Sequence, residues 1–235
     1  MGYDFEGRHV VVTGGTGALG TDVVRLLLEN GATCHVPAID ENELKAFPLS
    51  DHDRVNITEG VDLTDDDAVK GYFAGLPGLW ASIHGAGGFG MSDITETSLA
   101  DLQRLISLNI VTSYLCTREA IRTLRGAGQG GRVVNVSAQP GIEPRNAGGL
   151  TAYSATKGAV ASLTQSAADE VSSENIWVNA VAPSIMDTPA NREAMPDAPH
   201  SDWPSTADVA ATIAFLASPD NRVTRAAVVP VYGRS

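Results

Sequence analysis

The sequence predicts an α/β fold in which one doubly wound, seven-stranded parallel sheet carries helices on both faces. Three observations support this prediction. Short segments that are apolar throughout alternate with helical patterns, which is typical of parallel strands buried on both faces. A glycine-rich turn joins the first apolar segment to the first helical pattern. The 235 residues contain no internal repeat, low-complexity tract or linker, so we expect residues 1–235 to form a single domain.

The strands are predicted where short apolar runs lie between turn signals. In the first run, Val10, Val11 and Val12 follow one another, as expected for a strand with no solvent-facing side. The predicted strands span residues 8–13, 32–36, 55–61, 79–84, 132–137, 176–181 and 226–231.

Helices are predicted in the intervals between these strands. The first begins near Gly17 and ends at Asn30-Gly31, a pair typical of helix C-termini. The next begins in the acidic stretch 64–67, because negative side chains stabilise a helix N-terminus. The later helices are predicted over residues 99–124 as one long helix, around Tyr153, and over 206–217.

The composition argues against several classes of function. Hydrophobic residues make up 43% and charged residues 19%, as in an ordinary globular protein. The net charge of -12 argues against binding to nucleic acid or to an acidic membrane surface. Cys34 and Cys116 lack metal-ligand spacing, so we expect core residues of a reduced protein and no metal site. No apolar run approaches the ~20 residues that span a membrane, and the acidic N-terminus is unlike a signal peptide, so the predicted location is cytoplasmic.

The glycine-rich turn predicts a dinucleotide site. Gly14, Gly17 and Gly20 directly follow the valine strand and precede an amphipathic helix. Glycines at this spacing permit a tight turn, let a pyrophosphate approach the backbone and allow close helix packing. The N–H groups of the helix N-terminus then point at the phosphates. A glycine cluster alone can be a simple turn, but its place between strand and helix favours a Rossmann-like nucleotide-binding fold.

Tyr153 and Lys157 form a second candidate site. Residues four apart lie on the same face of a helix, and the stretch 152–168 has a helical pattern. A lysine ammonium beside a phenol favours the phenolate, so we expect Lys157 to lower the pKa of Tyr153 from its ordinary value of about 10. Such a phenol exchanges protons near neutral pH, as carbonyl reduction or alcohol oxidation requires. The alternative is a chance Tyr-x-x-x-Lys on an exposed helix.

Together these motifs resemble those of the short-chain dehydrogenase/reductase family along the whole chain. Residues 13–20 resemble the family's T-G-x-x-G-x-x-G nucleotide loop, and residues 84–87 resemble its Asn-Asn-Ala-Gly stretch with both asparagines replaced. Residues 179–184 are similar to the turn beside the nicotinamide, with Ser184 in place of glycine. The resemblance implies cofactor contacts at Gly14, Thr16, Gly17, Ala18, Leu19, Gly20, Asp62, Leu63, Ala86, Gly87, Tyr153, Lys157, Pro183, Met186 and Thr188.

The resemblance also implies an activity. It is that of an NAD(P)-dependent oxidoreductase transferring hydride between the nicotinamide and a carbonyl, an alcohol or a conjugated small molecule. The implied catalytic residues are Tyr153, Lys157 and Asn109. Tyr153 would donate or accept the proton, Lys157 would hold the nicotinamide ribose, and Asn109 would support a water relay.

The resemblance extends to organisation. It implies a nucleotide-binding half at about residues 1–130, a catalytic and substrate half at about residues 131–235, and a homodimer or homotetramer formed through the helices at 99–124 and 153–171. Residues 184–204 would form a short polar lid, in which Arg192, His200 and Trp203 are possible substrate contacts but are more often structural residues of such a lid.

One departure from the family pattern bears on mechanism. Ala138 occupies the position of the family's catalytic serine at the end of the fifth strand. Ser137 is adjacent but should point to the opposite face, so we expect a structural hydroxyl there. Dihydropteridine reductases in this family keep Tyr-x-x-x-Lys without the serine, and residues 187–197 and 86–89 are similar to theirs. A quinonoid dihydropteridine reductase-like enzyme is therefore an alternative, as is a non-catalytic nucleotide-binding subunit.

The end of the second strand bears on the choice of cofactor. NAD-dependent members carry an acid there for the adenosine ribose, whereas NADP users carry a basic residue. No basic residue is near in this sequence, and Asp40 lies about two positions beyond the family's acid. We therefore favour NAD over NADP.

Overall fold

Seven parallel strands form one continuous sheet, as predicted. The computed structural model describes residues 2–235. The strands are β1 (His9–Thr13), β2 (Thr33–Ala38), β3 (Val55–Glu59), β4 (Ala81–His84), β5 (Gly131–Val136), β6 (Ile176–Pro183) and β7 (Val228–Val231). The ends of the predicted strands differ from these by one or two residues.

The strand order creates a crevice at the carboxyl end of the sheet. The order is β3-β2-β1-β4-β5-β6-β7. From β1 the chain proceeds outward through β2 to β3, and it then crosses to β4 on the other side of β1 and proceeds outward to β7. Val10 pairs with Ala81 and Thr13 pairs with His84 across that point. Ligands of doubly wound sheets bind in the crevice at such a switch point. The residues that directly follow β1 and β4 are therefore the first candidates for a binding site.

Helices cover both faces of the sheet. On one face α1 and α9 bury Val23, Leu27 and Ile213 against the strands. On the other face α3, α5 and α7 bury a second apolar cluster that includes Phe73 and Leu124. The helices are α1 (Ala18–Glu29), α2 (Glu41–Ala46), α3 (Asp66–Ala74), α4 (Leu99–Leu105), α5 (Thr112–Ala127), α6 (Gln139–Ile142), α7 (Thr151–Glu170), α8 (Pro189–Ala194) and α9 (Thr206–Ala217).

The predicted long helix over residues 99–124 is wrong in its middle. A π-helical segment, Ile106–Val111, separates α4 from α5 and carries the fully buried Asn109. The Asn109 side chain bonds to Gly88 and to Thr156 of α7, and these tertiary contacts stabilise the wider turn. Such π segments occur often at functional sites. The short helices α2, α6 and α8 were not predicted either.

A buried polar chain links β4, β5 and α7 at His84. One ring nitrogen, Nδ1, lies 2.8 Å from Asn135 Oδ1, and the other, Nε2, lies 2.8 Å from Ser82 Oγ. Asn135 Nδ2 donates in turn to Thr164 Oγ1 at 3.0 Å. Burial lowers the pKa of His84 to about 4, so the ring is neutral at pH 7. His84 thus occupies the position of an asparagine of the family motif with a satisfied structural side chain.

Both cysteines belong to the core. Cys34 and Cys116 are free and buried, and burial raises the pKa of each thiol to about 12. Within residues 2–235, no group of three or more His, Cys, Asp or Glu side chains could hold a metal ion. In the same residues, no helix combines the length and apolar character needed to cross a membrane.

Candidate active site

The turn between β1 and α1 is shaped by close backbone contacts. Gly14 has a φ of +65°, and a Cβ there would lie 2.7 Å from the Ala86 nitrogen. A Cβ on Gly20 would lie 2.0 Å from the Gly14 carbonyl oxygen. Gly17 is the N-cap of α1 and has no side chain to occupy the N–H groups of the first turn. These free donors, at the positive end of the helix dipole, fit a pyrophosphate.

Two cavities meet at this turn and form one trough along the carboxyl end of the sheet. The larger has a volume of about 580 Å³ and extends past the end of β2. The smaller has a volume of about 320 Å³ and extends to Tyr153 and Lys157. Gly14, Gly17 and Gly87 line both. The two cavities thus extend in two directions from the glycine turn, as the two halves of a dinucleotide would require.

The predicted cofactor contacts are divided between the two cavities. The larger cavity is lined by seven of them: Gly14, Thr16, Gly17, Asp62, Leu63, Ala86 and Gly87. The smaller cavity is lined by Gly14, Gly17, Ala18, Leu19, Gly20, Gly87, Tyr153, Lys157, Pro183, Met186 and Thr188. The fold thus brings these positions together, and their contact with a cofactor stays a prediction.

Lys157 is held in place by residues at the end of β5. Lys157 Nζ donates to the Val136 carbonyl oxygen at 2.9 Å, and the Lys157 carbonyl oxygen accepts from Ser137 Oγ at 2.8 Å. The strand therefore anchors both the side chain and the backbone of the lysine. Lys157 Nζ lies 6.0 Å from the centroid of the Tyr153 ring, and both residues line the smaller cavity.

The predicted lowering of the Tyr153 pKa is wrong for the protein alone. Burial raises the pKa of Tyr153 to about 12, because removing water disfavours the phenolate. Burial also lowers the pKa of Lys157 to about 8. At 6.0 Å from the ring centroid, the ammonium does not offset the desolvation of the phenol. Tyr153 is consequently protonated at neutral pH.

Asn109 lies behind the trough. Its Oδ1 accepts from the Gly88 nitrogen at 2.8 Å, and its Nδ2 donates to the Gly88 carbonyl oxygen at 3.0 Å and to Thr156 Oγ1 at 3.0 Å. The side chain therefore holds the loop after β4 against the helix that carries Tyr153. The water relay predicted for Asn109 stays a prediction.

The residues around the missing serine have separate environments. Ala138 lines the smaller cavity. Ser137 also borders it, but its hydroxyl donates to the Lys157 carbonyl oxygen, as expected for a structural group. Gln139 begins α6 and lies outside the lining of either cavity. Tyr153 therefore presents a protonated hydroxyl to the smaller cavity, and Ala138 presents a methyl group where the family pattern has a serine.

Arg192, His200 and Trp203 contact other residues of the predicted lid, as expected of structural residues, and their contact with a substrate stays a prediction. Arg192 forms a two-point ion pair with Asp187, at 2.5 and 2.8 Å. His200 stacks on Trp203 with ring centroids 4.7 Å apart and contacts the Met195 carbonyl oxygen. None of the three lines either cavity of the trough, which is formed entirely by described residues.

Glu43 is an acid at the outer end of the trough that the sequence analysis did not identify. Asp40 is the N-cap of α2, and its Oδ1 accepts from the Asn42 and Glu43 backbone nitrogens. Glu43 Oε2 accepts from Thr16 Oγ1 at 2.8 Å and lines the larger cavity together with Asp40. The spacing Asp40-x-x-Glu43 matches a capping box, a signal that predicts the start of α2.

Comparisons with known proteins agree with the resemblance. The family model for short chain dehydrogenase matches residues 8–199. The chain is 32% identical to cis-4-hydroxycyclohexanecarboxylate dehydrogenase of Sinomonas cyclohexanicum, over 99% of this chain and 98% of the relative. It is 30% identical to galactitol 2-dehydrogenase of Rhizobium johnstonii, over 97% of this chain and 95% of the relative. The solved structure of ElxO with NADP bound has a TM-score of 0.86 and 26% identity, covering 96% of this chain and 97% of ElxO.

These matches agree with the geometry of both the fold and the candidate site. The sheet order, the glycine turn and the Tyr153–Lys157 pair occur in the expected places, and the matched region includes the glycine turn, the Tyr153–Lys157 pair and strands β1 to β6. The relatives are named as dehydrogenases, and a structural neighbour binds a nicotinamide dinucleotide. The chain belongs to the short chain dehydrogenase family and is an oxidoreductase.

Proposed function

We propose that the chain binds a nicotinamide dinucleotide in the trough and transfers hydride to or from a small carbonyl or alcohol, with Tyr153 as the proton donor or acceptor. One observation carries the proposal: Lys157 is anchored to β5 beside Tyr153, in the cavity that joins the glycine turn. When bound, the nicotinamide supplies or accepts the hydride. The chain supplies binding, orientation and the proton.

The protonation state of the site supports reduction. With a pKa raised to about 12, Tyr153 carries its proton at neutral pH and can donate it to the oxygen of a carbonyl that receives hydride. Lys157, with a pKa of about 8, is charged at the same pH and can hold ribose hydroxyls. In the reverse direction the Tyr153 phenol would first lose its proton, and the resulting phenolate oxygen would accept the alcohol proton.

Replacement of Tyr153 by phenylalanine tests this role. Tyr153→Phe should lower kcat strongly while leaving the cofactor dissociation constant nearly unchanged, because only a transition-state interaction is lost. Lys157→Ala should weaken cofactor binding as well, because the contact to the ribose is lost. Turnover and NADH affinity would be measured for each variant. A Tyr153→Phe enzyme with full turnover would exclude the assignment, and a purified wild type that binds the cofactor without turning over any substrate would favour the non-catalytic subunit.

The outer end of the trough supports NAD as the cofactor. Asp40 and Glu43 both line the larger cavity, where the adenosine half would lie. Carboxylates accept hydrogen bonds from ribose hydroxyls and repel a 2′-phosphate. Glu43 is better placed than Asp40 for this role, because Asp40 already caps α2 while Glu43 reaches across to Thr16.

Dissociation constants for NADH and NADPH test this preference. Wild type should bind NADH more tightly, and Glu43→Ala should improve NADPH binding on the order of tenfold by removing a like charge. Glu41→Ala is the matched control, because Glu41 lies on the same helix and outside the cavity. Tighter NADPH binding by wild type would contradict the NAD preference.

A second candidate function is reduction of a conjugated, quinonoid acceptor of the dihydropteridine type. The observation that favours it is Ala138, which lines the cavity at the position where the family pattern has a serine donor. Loss of one such donor typically costs about 10²–10³ in rate for a simple ketone, whereas a conjugated acceptor spreads the developing charge. Ala138→Ser should therefore speed ketone reduction more than quinonoid reduction. Fast wild-type reduction of an unactivated ketone, with no gain from the serine, would remove this support.

The proposed assembly is a homodimer or homotetramer formed through α4–α5 and α7. Tyr114 on α5 is 51% exposed, as expected of an aromatic residue that a second copy would cover. Sedimentation of wild type and Tyr114→Glu tests it, since a charge in the interface should shift the protein toward monomer. A wild-type monomer would contradict the proposal.

A further inference from the structure

The loop after β4 presents an aromatic side chain at the catalytic tyrosine. Phe89 is 61% exposed, lines the smaller cavity, and packs edge-to-face on Tyr153 with ring centroids 5.1 Å apart. The contact with Tyr153 therefore leaves most of the Phe89 side chain uncovered by the protein. A large apolar surface beside the reacting group is the kind of feature that binds a ligand.

The backbone around Phe89 is held on both sides. Asn109 bonds to both polar backbone groups of Gly88, and Arg104 Nη2 donates to the Phe89 carbonyl oxygen at 3.2 Å. Further along, the Ser92 nitrogen donates to the Gly149 carbonyl oxygen at 2.8 Å, joining the loop to the segment before α7.

The loop is also packed closely against the helix below it. A Cβ on Gly88 would lie 2.6 Å from Leu108 Cδ1, and a Cβ on Gly90 would lie 3.3 Å from Leu105 Cδ1. Phe89 is therefore an exposed aromatic side chain on a fixed backbone. A preorganised ring binds with a smaller entropic cost than one on a mobile loop.

We propose that Phe89 is a specificity-determining residue that packs against the ring of a cyclic substrate and so favours ring alcohols and ring ketones over open-chain ones. Ala138 lines the same cavity and offers a methyl group in place of a polar donor. In the reduction direction the carbonyl carbon of the ring would accept hydride from the reduced nicotinamide and its oxygen would accept the Tyr153 proton, leaving a ring alcohol, the oxidised nicotinamide and a phenolate that takes up a proton from water. The inference rests on the proposed function.

The test compares substrates of equal carbon number in two shapes. The probes are cyclohexanol and 2-hexanol, with cyclohexanone and 2-hexanone for the reverse direction. Wild type should prefer the ring substrate by roughly tenfold in kcat/KM, and Phe89→Ala should bring the ratio close to one. Phe89→Tyr should keep the preference, because it keeps the ring. The dissociation constant of NADH should be the same in all three proteins.

Ile94→Ala is the matched control. Ile94 is 64% exposed on the same loop but lies outside the cavity, so its removal should leave the ratio unchanged. Thermal unfolding and sedimentation of each variant separate a substrate contact from a contact with a second copy of the chain. A change of assembly in Phe89→Ala with an unaltered ratio would overturn the inference in favour of an interface residue.

The outcomes also separate this inference from the proposed function. Equal turnover of ring and open-chain probes by wild type, or a ring preference that survives in Phe89→Ala, would overturn the role of Phe89 and leave hydride transfer intact. Failure to turn over any probe, or full turnover by Tyr153→Phe, would overturn the proposed function and this inference with it.

Discussion

The buried histidine in β4 should make the fold sensitive to acid. His84 is 2% exposed, and burial lowers its pKa from 6.5 to about 4. At pH 7 the ring is neutral in both the folded and the unfolded state. Below pH 6.5 the unfolded chain takes up a proton that the folded protein does not, so stability falls until about pH 4. Each pKa unit corresponds to ~1.4 kcal/mol, which gives a loss of about 3 kcal/mol from this one side chain.

Denaturant unfolding at pH 7.5, 6, 5 and 4.5 would measure the effect, with His84→Asn as the comparison. The asparagine does not titrate, so the variant should lose about 3 kcal/mol less than wild type as the pH falls. His35, whose pKa is likewise lowered to about 4 by burial, remains in both proteins and cancels in the difference. Identical pH dependence of the two proteins would refute the reasoning, because it would mean that His84 is hydrated or protonated in the folded state.

Two further predictions concern the trough. Burial lowers the pKa of Lys157 to about 8. NADH affinity should therefore fall as the pH rises through 8, because the ammonium loses its proton. A dissociation constant for NADH that does not change from pH 7 to 9.5 would contradict a role for that charge. Gly87→Ala should destabilise the protein by about 1–3 kcal/mol, because the new Cβ would lie 2.7 Å from Asn109 Oδ1, an atom already held by Gly88. Gly71→Ala is its control with the opposite sign: no atom lies within 4 Å of a Cβ there, so replacing a glycine inside α3 should stabilise by about 0.5–1 kcal/mol. Thermal melts of both variants check these signs.

The fold was predictable because its signals are local. The consecutive valines Val10 to Val12 favour a strand that is buried on both faces. The pair Asn30-Gly31 ends α1 where the chain turns back toward the sheet. The φ of +95° at Gly31 shows why a glycine is needed at that position. The glycine turn was predictable for the same reason, since its spacing is set by backbone contacts within a single strand-turn-helix unit.

The parts of the site that were missed depend on tertiary contacts. The π segment around Asn109 exists because that side chain reaches Gly88 and Thr156, which are distant in sequence. The raised pKa of Tyr153 depends on how deeply the ring is buried, and the spacing Tyr-x-x-x-Lys contains no information about depth. Phe89 lies on a loop without periodicity, so its packing on Tyr153 has no sequence signal.

The way β5 ends argues for a working active site rather than a remnant. Three successive residues there have different roles. The Val136 carbonyl oxygen accepts a hydrogen bond from the Lys157 ammonium, and the Ser137 hydroxyl donates one to the Lys157 carbonyl oxygen. Ala138 lines the cavity. The absence of a hydroxyl at Ala138 therefore leaves both hydrogen bonds that hold Lys157 in place. Lowering the pKa of Lys157 from 10.5 to about 8 corresponds to a cost of about 3 kcal/mol for keeping its charge in a buried place. Retention of a costly buried cation beside a protonated phenol is what proton transfer requires.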